Sequence, residues 1–129
     1  MKKLFLITPY NIDSDFEIKK KIISEICQSN NIELYLAENE LIHKSLDANE
    51  TIELFKIMDY FIADISYQRP SCYFEIGYLQ ALKKEINLIA IINTPIHQLL
   101  LKETVSFYKN IDDYKILINE IISKLKLSI

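Results

Sequence analysis

Glycine is nearly absent from this chain of 129 residues: Gly77 is the only one. Cysteine is scarce as well. Cys27 and Cys72 sit in unrelated segments and match no metal or redox spacing, so no metal site is read and a reduced, cytoplasmic protein is expected. His43 and His97 are isolated, which suits surface positions better than catalysis. A basic face is missing. The formal charge of -3 and the pI near 5.4 exclude a general nucleic-acid binder. No segment approaches the roughly 20 apolar residues that a membrane span needs. The start superficially resembles a secretion signal, but its apolar run is short and ends at once in polar residues. No linker, repeat or low-complexity stretch interrupts the chain, so residues 1–129 are expected to form a single domain.

Half of the residues are apolar, enough for a substantial core, and their spacing alternates between two periods. Short buried runs at 3–8, 32–37, 60–65 and 87–92 read as strands, with a weaker fifth at 105–108. Between them lie helical patterns. Ile18, Ile22, Ile23 and Ile26 recur at helical spacing after Ser14 and Glu17, which form a candidate capping box. Asp47 and Glu50 are candidate caps for a short helix through Phe55 and Met58. Phe74, Gly77, Tyr78, Ala81 and Leu82 make an apolar stripe, read as facing inward, with Gly77 permitting close helix–sheet packing. One or two helical turns are expected at 96–102. Asp112 or Asp113 caps a last helix with Leu117, Ile118, Ile121, Ile122 and Leu125 inward. Strands alternating with helices imply an α/β fold. The expectation is a flavodoxin-like three-layer arrangement with a five-stranded, mostly parallel sheet in the order 2-1-3-4-5. The crevice then lies past strands one and three, where the order reverses.

Two carboxylates converge on that crevice in the segment Asp64-Ile-Ser-Tyr-Gln-Arg-Pro-Ser-Cys-Tyr-Phe-Glu75-Ile-Gly77. Asp64 ends a strand and Glu75 sits about one turn into the following helix. Cleavage of a glycosidic C–N bond passes through a cation-like sugar, which a carboxylate stabilises or traps. Glu75 is the candidate for that role. Asp64 is placed to hold a sugar hydroxyl or handle a proton on the base, and Tyr10 to orient Glu75 or bracket the substrate. Thr8, Pro9, Asn11 and Ser66 line the same crevice, and Ser71 offers a hydroxyl at a helix N-terminus, where backbone N–H groups favour phosphate. Structural roles compete with each reading. The helix dipole alone favours an acid in a first turn. An Asp after a strand is a common cap, and Tyr10 is one of eight tyrosines.

The stretch from Phe61 through Asp64 and Ser66, then from Arg69 through Glu75, Gly77 and Ala81, resembles the nucleoside 2-deoxyribosyltransferase family. The family pattern is an Asp at a strand end, a Ser/Pro/Asn turn, then a Glu-x-Gly-x-Ala-like helix and a further buried strand. The motif covers about a quarter of the chain, and residues 4–10 fit the family's first strand and following aromatic. The resemblance implies that Glu75 is the catalytic carboxylate, that Asp64 contacts sugar or base, that Tyr10 assists Glu75, and that a neighbouring subunit completes the crevice. The segment is also similar to TIR domains, whose glutamate cleaves the nicotinamide bond of NAD. Two departures stand out. The loop Thr8-Pro-Tyr-Asn-Ile-Asp-Ser-Asp15 carries two acids and no glycine, which favours a nucleoside or NAD-like ligand over a monophosphate. Tyr78 replaces a smaller residue and narrows the pocket.

The expected function is therefore N-glycosidic-bond cleavage or transfer on a (deoxy)nucleoside or nucleotide by a transferase or hydrolase. The alternatives are a TIR-like NAD-cleaving, signal-producing enzyme and a non-catalytic nucleotide-sensing module. The expected partner is a nucleoside, nucleotide or NAD-like small molecule, with no cofactor, no nucleic acid and no membrane. The Ile/Leu/Tyr-rich helices have more apolar surface than one sheet covers, which favours a homo-oligomer.

Overall fold

The apolar runs form five strands in the computed structural model, which describes residues 1–36, 48–96 and 104–127. They are β1 (Lys2–Ile7), β2 (Ile32–Leu36), β3 (Tyr60–Asp64), β4 (Asn87–Ile91) and β5 (Val105–Tyr108). Every neighbouring pair is parallel and the order is β2-β1-β3-β4-β5. The described helices are α1 (Phe16–Ser29), α2 (Ala48–Lys56), α3 (Pro70–Ala81) and α4 (Ile111–Leu127). Among the described residues, no helix is long and apolar enough to cross a membrane.

Strands covered on both faces need apolar side chains at consecutive positions, and this sheet has them. Leu4 and Leu6 of β1, with Ile62 and Ile89, pack under Ile23 and Ile26 of α1 and Ile118 and Ile122 of α4. The intervening Phe5 and Ile7, with Phe61 and Ala63, pack under Phe55 and Met58 near α2 and Ile76 and Leu79 of α3. Phe55 meets Phe5 and Phe61 edge-on, with centroids 5.1 and 5.7 Å apart. The sheet is thus a middle layer between two pairs of helices.

Several local expectations are corrected. β1 stops at Ile7, one residue before the Thr8–Pro9 step, because proline has no N–H to continue the ladder. The Ser14–Glu17 capping box does not form: α1 starts at Phe16 and its cap residue, Asp15, makes no side-chain cap bond. Asp13 organises that turn instead, accepting the Asp15 amide at 2.9 Å. Ile18 is 51% exposed, and its expected inward place is taken by Lys19, beside Phe16, Ile23 and Ile26. In α3 the buried side chains are Cys72, Ile76 and Leu79; of the expected stripe, Tyr78 and Leu82 are half-buried against the core, whereas Phe74, Gly77 and Ala81 face outward. A Cβ built on Gly77 meets nothing within 4 Å, so the glycine does not serve close packing. The cap of α4 is Asn110, whose side-chain oxygen accepts the Asp113 amide at 2.9 Å. Asp47 and most of the turn expected at 96–102 lie outside the described residues.

Candidate active site

The order reverses between β1 and β3, so the loops leaving these two strands border one crevice. From β3 the chain enters a single 3-10 turn at Ser66–Gln68, where Tyr67 and Gln68 adopt positive φ of 66° and 50°. Two successive non-glycine residues in that region are strained. The turn is held by the Gln68 amide on the Ile65 carbonyl at 3.1 Å and by the Gln68 side-chain amide on the Pro95 carbonyl at 2.8 Å. Pro70 then opens α3, where its missing N–H costs nothing. Glu75 therefore lies in the second turn of α3. The helix dipole, which acts within the first turn, does not account for it.

Beneath the crevice runs a buried polar network. Lys19 Nζ donates to Asp13 Oδ2 at 2.6 Å and to the Tyr108 hydroxyl at 2.7 Å. The Tyr108 hydroxyl in turn donates to Asp64 Oδ2 at 2.7 Å, and Asp64 Oδ1 accepts the Ser66 amide at 3.0 Å. Ser66 Oγ lies 3.2 Å from the Tyr108 hydroxyl and accepts the Ile91 amide at 2.8 Å. Lys19 also sits 4.8 Å from the Tyr108 ring centroid and 5.6 Å from that of Tyr114. Burial raises the Asp64 pKa, while the Ser66 and Tyr108 hydrogen bonds and the Lys19 charge pull it back. The network ties the β1 loop, β3, β4, β5 and α1 together. Asp64 is 1% exposed and Ser66 fully buried, so both face this network rather than open crevice.

Above it the residues are half-open. Glu75 is half-buried and has no hydrogen bond or ion pair with a described residue. Burial pushes its pKa up to about 7, against the opposing charge of Arg69. The Arg69 guanidinium carbon stands 5.2 Å from the Tyr10 ring centroid, and Tyr10 is braced on Phe16 with centroids 6.2 Å apart. Cys72 feels both acids: burial first, then the Glu75 and Asp64 charges, push its thiol up to about 12. That thiol is no nucleophile at neutral pH.

The sequence-predicted residues thus divide. Tyr10 and Glu75 are half-buried, and Asn11 and Ser71 exposed; Thr8, Pro9, Asp64 and Ser66 are buried. Arg69, Lys19, Asp13 and Tyr108 were not predicted for the site. A signal existed for Lys19, which sits four and seven residues before Ile23 and Ile26 and so shares their helix face. Tyr108 carries no local signal, because its hydroxyl meets Asp64 only through the sheet order. Among the described residues no cluster of His, Cys, Asp and Glu is placed to hold a metal ion. A cavity of about 440 Å³ opens at the opposite end of the sheet, beside Lys2, Asn30, Asn31, Asp59, Tyr60 and Lys126. It holds none of the candidate site residues.

A solved structure of a 2-deoxyribosyltransferase from the psychrotolerant bacterium Bacillus psychrosaccharolyticus matches this architecture. The likeness covers 88% of this chain and 90% of that one, with a TM-score of 0.61 and 13% sequence identity. This chain has a nucleoside 2-deoxyribosyltransferase-like fold. At that identity the likeness speaks for the fold alone. No protein-family model matches the chain, and no curated protein does.

Proposed function

We propose that this chain cleaves or transfers the N-glycosidic bond of a (deoxy)nucleoside or nucleotide, with Glu75 as the reacting carboxylate. The observation that carries the reading is Glu75 itself: a half-buried acid beside the β1–β3 switch point, with no described hydrogen-bond partner and a pKa raised to about 7. A strongly perturbed acid in a cleft is a candidate functional group. The fold shared with a 2-deoxyribosyltransferase supports the same reading.

In this mechanism a Glu75 oxygen attacks C1′ of the sugar. The C1′–N bond breaks, and its electron pair leaves with the base, which takes up a proton. The resulting sugar ester on Glu75 is attacked at C1′ by water, giving free sugar, or by a second base, giving a new nucleoside. Either step returns the carboxylate. Tyr10 brackets the substrate. Asp64, being enclosed, acts through Ser66 and Tyr108 to hold the crevice floor. That enclosure leaves one described acid for the chemistry and is the observation favouring the second reading, a nucleotide-sensing module without turnover. The exposed Phe74–Gly77–Ala81 face supports a homo-oligomer, and the two free cysteines suit a cytoplasmic location.

Purified protein is incubated with deoxynucleosides, their nucleotides and NAD, and the products are read by mass spectrometry. Glu75→Gln, shown folded by circular dichroism, is expected to lose turnover by more than the roughly 10²–10⁴-fold typical of acid–base help. Equal activity in the two proteins removes Glu75 from the chemistry. Absence of turnover by wild type on every substrate leaves the sensing module.

A further inference from the structure

We propose that Arg69 receives a phosphate group of the ligand, so that the crevice takes a nucleoside monophosphate in preference to a free nucleoside. The inference rests on the crevice being the substrate site. It reverses the expectation drawn from the acids of the β1 loop.

The chain contains fourteen lysines and one arginine, and that arginine stands at the mouth of α3. A guanidinium offers what an ammonium cannot: a flat face for stacking and a rigid fork that matches two phosphate oxygens. Arg69 already sits over the Tyr10 ring, its guanidinium carbon 5.2 Å from the centroid. One arm of its fork has no acceptor among the described residues. The Nη1 atom is closed off from water and has no hydrogen-bond partner. No described carboxylate forms an ion pair with Arg69. A buried charged donor left without an acceptor is unfavourable, so its presence at a half-buried residue points to an acceptor supplied by the ligand.

Of the surrounding acids, Glu75 feels the Arg69 charge without forming an ion pair with it. Asp13, one of the two acids expected to repel a phosphate, is paired at 2.6 Å with Lys19, and their side chains are 1% and 5% exposed. Its charge is met inside the protein. Asp64 is enclosed and faces Tyr108 and Ser66. Asp15 remains half-buried in the loop. The N-terminus of α3 adds little: Pro70 has no N–H and the Cys72 amide is engaged by the Arg69 carbonyl at 3.0 Å. The anion site is therefore the Arg69 side chain, with the exposed Ser71 hydroxyl beside it in sequence.

Calorimetric titration of the whole chain with 2′-deoxynucleosides, their 5′-monophosphates and NAD tests this, using Glu75→Gln so that no ligand is consumed. For at least one base, the monophosphate should bind about tenfold to a hundredfold more tightly than its nucleoside, the effect of a hydrogen bond to a charged group. Adding Arg69→Gln should erase that preference and leave nucleoside affinity in place. Arg69→Lys, which keeps the charge, should retain part of it and serves as the check should the glutamine variant fold poorly. Equal affinity for nucleoside and monophosphate, a preference that survives Arg69→Gln, or Arg69-dependent binding of NAD alone would each overturn the proposal. Turnover separates this outcome from the fate of the function itself. Arg69-dependent monophosphate binding without cleavage by wild type leaves the phosphate site standing and removes the glycosidase. Cleavage of free nucleosides alone does the reverse.

Discussion

Glu75→Gln should make the protein more stable above neutral pH while making it inactive. Glutamine keeps the shape of the side chain and removes the charge. The Glu75 carboxyl has an ordinary pKa of 4.5, raised to about 7 in the folded chain by burial and held from going higher by Arg69. Between those values the folded protein keeps a proton that the unfolded chain has lost. Stability therefore falls as pH rises through this window, and the penalty is complete above about 7. A shift of about 2.5 units corresponds to about 3 kcal/mol at most. Because the half-buried carboxylate keeps some water, the expected gain on substitution is about 1–3 kcal/mol at pH 8. For a chain of this size that raises Tm by roughly 3–10 °C. At pH 5 the folded group is neutral but the unfolded carboxyl has already lost much of its proton, so the Tm difference should shrink to roughly a quarter of its pH 8 value. Thermal unfolding followed by circular dichroism at pH 5 and pH 8 measures the difference directly. An unchanged Tm at pH 8 would mean that Glu75 ionises as freely as a surface acid. Glu75 would then lie outside an enclosed crevice, whatever an activity assay shows.

The remaining predictions address the framework. Lys19→Met leaves Asp13 buried without its cation and should cost about 3–5 kcal/mol in urea unfolding. The double variant with Asp13→Asn should lose less than the two single variants summed. Tyr108→Phe removes the hydroxyl shared by Lys19, Asp64 and Ser66 and should cost about 1–3 kcal/mol in the same assay. Gly77→Ala places a methyl in open space inside a helix and should raise stability by about 0.5–1 kcal/mol, and a loss instead would mean that the face is covered by another chain. Neither cysteine should react with iodoacetamide in the native protein at pH 7, since burial holds Cys27 near 11 and Cys72 near 12.

How much was legible follows from the range of each interaction. The strand positions and their order were readable because a parallel sheet covered on both faces demands unbroken apolar runs, and because helical connections leave few topologies. The position of Glu75 on the helix that follows β3 was readable because it is a local matter. The outward turn of Phe74, Gly77 and Ala81 was not. An apolar residue is permitted on either face of a helix, and only the docking of α3 on the sheet decided that Cys72, Ile76 and Leu79 go in. The same holds for Asp64. From the sequence it is an acid at a strand end, free to meet a ligand. Tyr108, forty-four residues away, reaches it only because β3, β4 and β5 lie side by side, and that contact encloses the carboxylate. Lys19 and Asp13 likewise pair inside the protein, where the Lys19 side chain reaches the hydroxyl and ring of Tyr108 at the end of β5. Periodicity and composition, which act over a few residues, determined the elements of this protein. Tertiary packing decided which of its charges stay inside, as Lys19, Asp13 and Asp64 do, and which, Arg69 and Glu75, stay half-buried.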